Sequence, residues 1–478
     1  MTGVKKSFAY QSMYQVTSML LPLVTSPYLA RTLGAEKIGV YSYSYAISFY
    51  FMMFALLGIG NYGNKAIASA RDNPEKLNKT FSSLLYIHVF FCVIALLAYY
   101  VFVCTFVMNE RFVLLIQGLW IFSALFDVSW FFFGMERFKV TAICNTIAKI
   151  VMTAFVFLFV KTTNDVWIYC LIMGGGTLCS QLVLWPLMKN YVKIVWVPWK
   201  ELKPHIAPMV VLFIPVIAIS LYRYVDKIML GVISTKSEVG YFENAEKAMG
   251  IPVSVINSFG IVMLSRMSNI FSKDREKEGL VYIGKSIEWI MCFTCAMAFG
   301  MCAVAKNFSV LFWGEGFERS GYLLQYLCVS ILFMCFANVL RTQYLIPKGK
   351  NSCYVVSVGL GALVNIVVNV IMIPKYGAYG AVLGTVCAEA MVCFVQMYCV
   401  RREIPLFAYV KKSLIFVFFG GLMYLPVKYV GAMCNNLVMS LFVQIAIGML
   451  VYLVLSCSYF AATKNDVFKA MLERVKSK

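Results

Sequence analysis

Residues 140–160 read VTAICNTIAKIVMTAFVFLFV, an apolar stretch with a single charge, Lys149, near its middle. About 20 consecutive apolar residues suffice for a helix to cross a bilayer. A charge at that depth costs about 2.5 to 3.5 kcal/mol on insertion scales and marks function by default. Other ionisable residues recur inside similar stretches, so the chain is expected to line a polar cavity with them. This pattern describes a membrane transporter.

Composition agrees. The chain has 478 residues, of which 61% are hydrophobic and 13% charged, with a mean hydropathy of +0.78. Soluble domains carry roughly 25% charged residues. At about 20 residues per crossing, little length is left for a soluble domain. A net charge of +20 would suggest nucleic acid as the partner of a soluble protein. Here the position of the charges matters more, and no nucleic acid is expected.

The hydropathy pattern predicts 14 spans, from 8–30 at the N-terminus to 437–460 near the C-terminus. Among them are the fourth at 112–134, the fifth at 140–160, the seventh at 206–231, the eighth at 241–264, the tenth at 322–346 and the twelfth at 379–400; the thirteenth, 413–427, is short. With a cytoplasmic N-terminus, 27 basic residues fall in inner segments, nine in outer segments and six within spans, which accounts for all 42. This three-to-one bias follows the positive-inside rule, so both termini are expected in the cytoplasm. No small-residue cleavage site follows Lys5 and Lys6, so the first span is expected to be retained.

Other chemistries find little support. Most of the 16 cysteines lie in apolar stretches, where the thiol packs as a small hydrophobe. Cys292 and Cys295 form a CxxC without a second pair, and only His88 and His205 are present, so no metal site is expected. His88 is expected to be a satisfied donor within the membrane. Gly279, Gly284, Lys285 and Ser286 match the phosphate-loop pattern, but bulky Leu280 to Ile283 fill its interior where flexible residues are needed. The match is read as coincidence.

The chain repeats itself. Leu33-Gly34 followed by Gly39 and Tyr41 resembles Leu230-Gly231 followed by Gly240 and Tyr241, and Gly34 and Gly231 are 197 residues apart. Six spans separate the copies, so the halves are expected to be parallel repeats with the substrate path at their seam. The expected architecture is an all-α polytopic membrane protein: an N-lobe (1–204, helices 1–6), a C-lobe (205–402, helices 7–12) and residues 403–478 with helices 13–14 and a cytoplasmic tail.

The stretches Pro27-Tyr28-Leu29-Ala30-Arg31-Thr32-Leu33-Gly34 and Asp226-Lys227-Ile228-Met229-Leu230-Gly231, the latter followed by Glu238-Val239-Gly240-Tyr241 and Ala245, resemble the bacterial polysaccharide flippases of the multidrug, oligosaccharidyl-lipid and polysaccharide exporter superfamily. The resemblance implies a V-shaped pair of lobes in the bacterial cytoplasmic membrane. It implies outward movement of an undecaprenyl-diphosphate-linked oligosaccharide by alternating access, for surface polysaccharide biosynthesis. The partners it implies are the lipid-linked oligosaccharide, membrane lipids, and a polysaccharide polymerase with glycosyltransferases. No cofactor is implied beyond sodium or proton coupling.

Several residues carry the expected chemistry. Thr141, Asn145, Lys149 and Thr153 recur every four residues as a polar stripe, where an ammonium suits a diphosphate. An acid partner such as Glu389 is the competing reading for Lys149. Ser220, Arg223, Asp226 and Lys227 share a face of the seventh span, and Glu243, Lys247, Ser254 and Asn257 one of the eighth, with Glu243 and Lys247 spaced as a favourable pair. An interfacial ion-pair lock explains these two groups equally well. Asp127 and Arg341 occupy inner-third positions suited to a gate or to plain helix ends. Gln11, Gln15, Ser18 and Pro22 share a face of the first span, which Pro22 and Pro27 can bend. Gly380 and Gly384 read as a close helix contact. The substrate-binding candidates are therefore Lys149, Arg223, Lys227, Lys247, Arg341 and Arg31, and the coupling or gating candidates Asp127, Asp226, Glu243 and Glu389.

Two other functions compete with this reading. A drug or small-cation exporter of the same superfamily predicts acidic cavity faces, whereas basic residues here at least balance the acids. A membrane enzyme of polysaccharide assembly needs a catalytic outer loop, and the longest outer connection, 305–321, lacks a His or Cys constellation. A transporter rather than an enzyme is expected.

Overall fold

A computed structural model describes residues 2–434, 436–465, 468–469 and 473 of the chain; the side chains of residues 2–12, 16, 215, 218–219 and 222–223 fall outside the description. Among the described residues every regular element is helical. The chain divides into two compact units, Met1–Gly240 and Tyr241–Lys478.

The first unit holds α1 (Thr2–Leu56), α2 (Ile59–Ala70), α3 (Pro74–Phe106), α4 (Arg111–Leu125), α5 (Ser129–Gly134), α6 (Phe138–Phe159), α7 (Val166–Met188) and α8 (Trp199–Ile233). Helix α1 carries two of the expected spans. Its backbone leaves helical geometry at Gly34 (φ 75, ψ 171), a conformation that a Cβ would disfavour, while Pro22 and Pro27 lie within helix. The break is therefore at the glycine, not at the prolines. Local chemistry sets other boundaries. Pro74 at the first turn of α3 follows Asn73, whose Oδ1 accepts from the amides of Glu75 and Lys76 at 3.0 and 3.1 Å.

The fourth expected span is two helices. The chain leaves α4 at Phe126, and Asp127 Oδ1 accepts from the amide of Ser129 at 2.8 Å at the start of α5. A buried aromatic cluster of Phe81, Trp130, Phe131 and Phe132 holds this corner, with Trp130 stacked on Phe81 at 5.4 Å.

Helix α9 (Lys236–Phe271) begins in the first unit and continues into the second. The second unit adds α10 (Glu276–Trp313), α11 (Glu318–Leu340), a π-helical turn (Arg341–Leu345), α12 (Asn351–Tyr376), α13 (Ala378–Val400), α14 (Leu406–Met433) and α15 (Leu437–Ala462). A methyl on Gly380 would lie 2.5 Å from the backbone carbon of Met372, and one on Gly384 would lie 2.1 Å from Asn369 Oδ1. The Gly380/Gly384 pair thus packs α13 directly on α12, as small residues do in membranes. Helix α14 has 28 residues, well beyond the expected 413–427. Lys411, Lys412 and Lys428 lower the hydropathy at its ends without ending the helix. The phosphate-loop match, 279–286, lies inside continuous α10, so no loop exists there to wrap a phosphate.

By length and composition, twelve helical segments among the described residues can cross a membrane. The first, Met13–Ala70, contains the Gly34 break and so covers two expected spans, and α8 contains the seventh. Each of the 14 expected spans thus falls on helical structure, the second crossing the turn at Leu57-Gly58 and the fourth the turn at 126–128. Large apolar side chains such as Leu97, Val101, Phe407 and Leu450 are exposed along them, as lipid-facing surfaces require. The protein is a multi-pass membrane protein. Helix α8, which the repeat reading opened the C-lobe with, packs against α1, α2 and α3.

Candidate functional site

Lys149 lies at the middle of α6, half-buried against α1. Its Nζ donates to Ser18 Oγ at 2.7 Å and sits 4.7 Å from the centre of the Tyr14 ring. A hydroxyl and a ring face stabilise an ammonium without cancelling its charge. Among the described residues no carboxylate pairs with it. The stripe continues one turn earlier, where Ser180 Oγ on α7 donates to Asn145 Oδ1 at 2.6 Å. Of the first-span polar face, Ser18 meets Lys149, Gln15 is exposed, and the side chain of Gln11 lies outside the described residues.

On α8, Asp226 and Lys227 are both buried, and the Lys227 ammonium lies 5.6 Å from the Tyr224 ring. Tyr224 stacks on Phe49 of α1 at 4.0 Å, and Tyr50 OH donates to the Ser220 carbonyl at 3.1 Å, which fixes this face of α8 on α1. The side chain of Arg223 lies outside the described residues. Arg31 is exposed, one turn before the Gly34 break. Asp127 is half-buried and spends one carboxylate oxygen on the cap of α5. Its neighbour His88 is buried, with Nε2 2.7 Å from the Ala124 carbonyl, while Nδ1 has no hydrogen-bond partner among the described residues, so the expected donor is satisfied at one ring nitrogen only.

In the second unit, Glu243 and Lys247 form the expected ion pair at 3.1 Å, with the carboxylate the more buried partner. Asn257 Oδ1 accepts from Asn338 Nδ2 at 2.9 Å, joining α9 to α11. Arg341 opens the π-helical turn, its guanidinium 5.5 Å from the centre of the Tyr354 ring on α12. π-Turns inside helices recur at functional positions. Arg341, like Lys149, has an aromatic neighbour and no carboxylate partner among the described residues. Glu389 is 6% exposed on α13 and has neither a hydrogen bond nor an ion pair among the described residues.

Some participants escaped sequence reasoning. Tyr14 lies 135 residues from Lys149 and carries no charge to attract notice. Asn365 and Asn369, one turn apart in α12, are fully buried and joined at 3.2 Å beside Gly384; amides at i,i+4 in an apolar helix were the available signal. A polar cavity of about 330 Å³, whose lining includes Glu75, Lys76, Lys79, Glu201 and His205, contains none of the ten candidates.

Residues 4–271, more than half of the chain, match the model of the family described as "Polysaccharide biosynthesis protein". A relative in Escherichia coli (strain K12), named "Putative O-antigen transporter", is 24% identical over 411 residues, covering 82% of this chain and 97% of the relative. Among solved structures, a lipid II flippase MurJ in an inward closed conformation superposes with a TM-score of 0.79 at 18% identity, over 95% of this chain and 99% of that one. An inward-facing multidrug resistance MATE family transporter of the MOP superfamily gives 0.59 at 13% identity, over 82% and 99%. At these identities the structures speak for the fold alone. The family match over more than half of the chain, on an all-helical fold like that of these two transporters, places the chain in the polysaccharide biosynthesis protein family.

Proposed function

We propose that this protein flips an undecaprenyl-diphosphate-linked oligosaccharide outward across the bacterial cytoplasmic membrane by alternating access, supplying surface polysaccharide synthesis from a chain with both termini in the cytoplasm. The observation that carries this reading is the Lys149 ammonium, held by Ser18 and Tyr14 at the middle of a helix long and apolar enough to cross a membrane, without a neutralising carboxylate among the described residues. Such a charge is costly unless an anion visits it, and a diphosphate is an anion of suitable compactness. Arg341 offers a second cation of the same kind. The relative named an O-antigen transporter, similar over four-fifths of this chain, supports the cargo class.

In this mechanism the span cations compensate the diphosphate, the glycan crosses in water and the prenyl tail stays in lipid. Lys149 and Arg341 act as ligands, with Arg223, Lys227, Lys247 and Arg31 completing the basic path. Two negative charges moving outward gain roughly 4.6 kcal/mol per 100 mV from an inside-negative potential, so the cargo itself supplies a driving force. Glu389, buried and unpaired among the described residues, is the group proposed to bind a proton or sodium if the cycle is coupled, with Asp127, Asp226 and Glu243 shaping gates. Catalysis plays no part.

The test is reconstitution. Proteoliposomes should translocate a fluorescent undecaprenyl-diphosphate oligosaccharide faster than protein-free vesicles, and faster with the inside-negative potential. Translocation at the protein-free rate, with export of organic cations instead, would replace this reading by the drug-exporter one.

A further inference from the structure

The duplicated Leu-Gly and Gly-Tyr motifs meet in space, in a contact that lies wholly within Met1–Gly240. A Cβ built on Gly39 would lie 1.7 Å from the Lys236 carbonyl oxygen and 2.9 Å from the Gly240 amide nitrogen. A Cβ on Gly240 would lie 1.9 Å from the Ala35 carbonyl oxygen. Each copy of the motif therefore seats its glycine on the backbone of the other, the reciprocity that a two-fold relation between repeats produces. Any larger residue on either side would force the segments apart.

One side chain fastens this contact. The Lys236 ammonium sits 3.3 Å from the centre of the Tyr43 ring, donates to the Gly231 carbonyl at 2.7 Å and lies 3.9 Å from Glu110 Oε2. Gly231 makes room for that ring, since its Cβ would fall 2.2 Å from Tyr43 Cδ2. Among the described residues no backbone hydrogen bond joins 35–39 to 236–240. The segments are thus held by close packing and one cation, a contact that opens without breaking a ladder of hydrogen bonds.

We infer that the paired motifs form a seal between the two repeats, closed in this structure, and that Lys236 on Tyr43 is its latch. The charge bias places 31–38 and 232–240 on the outer side, so the seal stands where cargo leaves. The inference rests on the alternating-access reading proposed above and adds the residues that close its outer exit.

Nitroxide labels attached through encoded ketone side chains at Glu36 and Val232, both exposed, report the separation without touching the native cysteines. Electron–electron distance measurements on the detergent-solubilised full chain, without cargo, should give a dominant short population. Gly39→Ala and Gly240→Ala should each convert it to a longer one and lower flipping about ten-fold or more. Gly60→Ala, where a Cβ meets open space, should change neither. Lys236→Met and Tyr43→Leu leave the backbone contact intact, so they decide the matter if the glycine variants do not fold; both should enrich the longer population. A distribution that stays like the parent's in every folded variant overturns the seal. Because the distance is read without cargo, an absent flipping activity with an intact distance response would count against the proposed cargo and not against the seal.

Discussion

Lys149 Nζ and Ser18 Oγ are 2.7 Å apart, on helices whose contacting residues are separated by 131 positions in the chain. The hydroxyl can only accept from an ammonium, so this bond orients the cation without using up its charge. Ser18→Ala and Tyr14→Leu should therefore lower flipping only a few-fold, a small loss compared with removing the amine. Initial rates in proteoliposomes check this, and a loss as deep as that of a lysine deletion would make Ser18 more than an orienting group.

The bond from Ser180 to Asn145 ties α7 to α6 one turn from Lys149. Interhelical hydrogen bonds in membranes average about 0.6 kcal/mol and reach about 1.7. Asn145→Ala should cost a stability within that range in a thermal melt, with the response of flipping to salt unchanged, since no charge is altered.

Gly384→Ala should be more damaging. The added methyl meets Asn369 Oδ1 at 2.1 Å, an overlap of the kind that costs about 1 to 3 kcal/mol in a packed core. Asn369→Ala in the same chain removes the obstructing atom. The double variant should recover part of the lost stability, and a strictly additive double-mutant cycle would refute the contact.

Glu403, in the turn between α13 and α14, accepts from Lys350 and from Tyr344 OH, and those bonds hold its carboxyl below the usual carboxylate range. A depressed carboxyl contributes stability that is present at neutral pH and disappears as the pH falls through its folded value. Glu403→Gln should melt lower than the parent at neutral pH, by about 1 kcal/mol or less because the group is largely solvated, and should coincide with it in acid. A constant difference across the range would contradict this.

Glu389→Gln keeps the shape of a buried side chain and removes its proton site. If Glu389 couples an ion to the cycle, the variant should flip at a rate insensitive to an imposed proton or sodium gradient, while the parent responds. A parent and variant that respond alike would exclude Glu389 from coupling.

The spans were legible because lipid imposes a minimum apolar length, and that length survives in one dimension. What interrupts a span was harder to see. Asp127 is the one charge in 112–134 and no glycine or proline flanks it, so the exit from α4 shows only in its bond to the Ser129 amide. The prolines of the first span were visible, but the break falls at Gly34, where φ and not ring geometry decides. Lys149 was conspicuous as a lone charge, whereas Tyr14 became its neighbour only through the packing of α1 on α6. Gly39 and Gly240 were legible as a repeat, yet their mutual contact is a fact of the folded chain. Glu243 and Lys247 needed no tertiary information, since helical spacing alone brings them together.

The central claim is that an uncompensated ammonium in α6 receives the anionic headgroup. It is tested most directly by the flipping rate of Lys149→Ala against Lys149→Arg, each matched to the parent in melting temperature and in amount reconstituted. A charge-assisted hydrogen bond is worth about 1.5 to 3 kcal/mol, so alanine should slow translocation by roughly ten- to a hundred-fold, and arginine should restore part of the rate. An alanine variant that flips as fast as the parent would contradict the account.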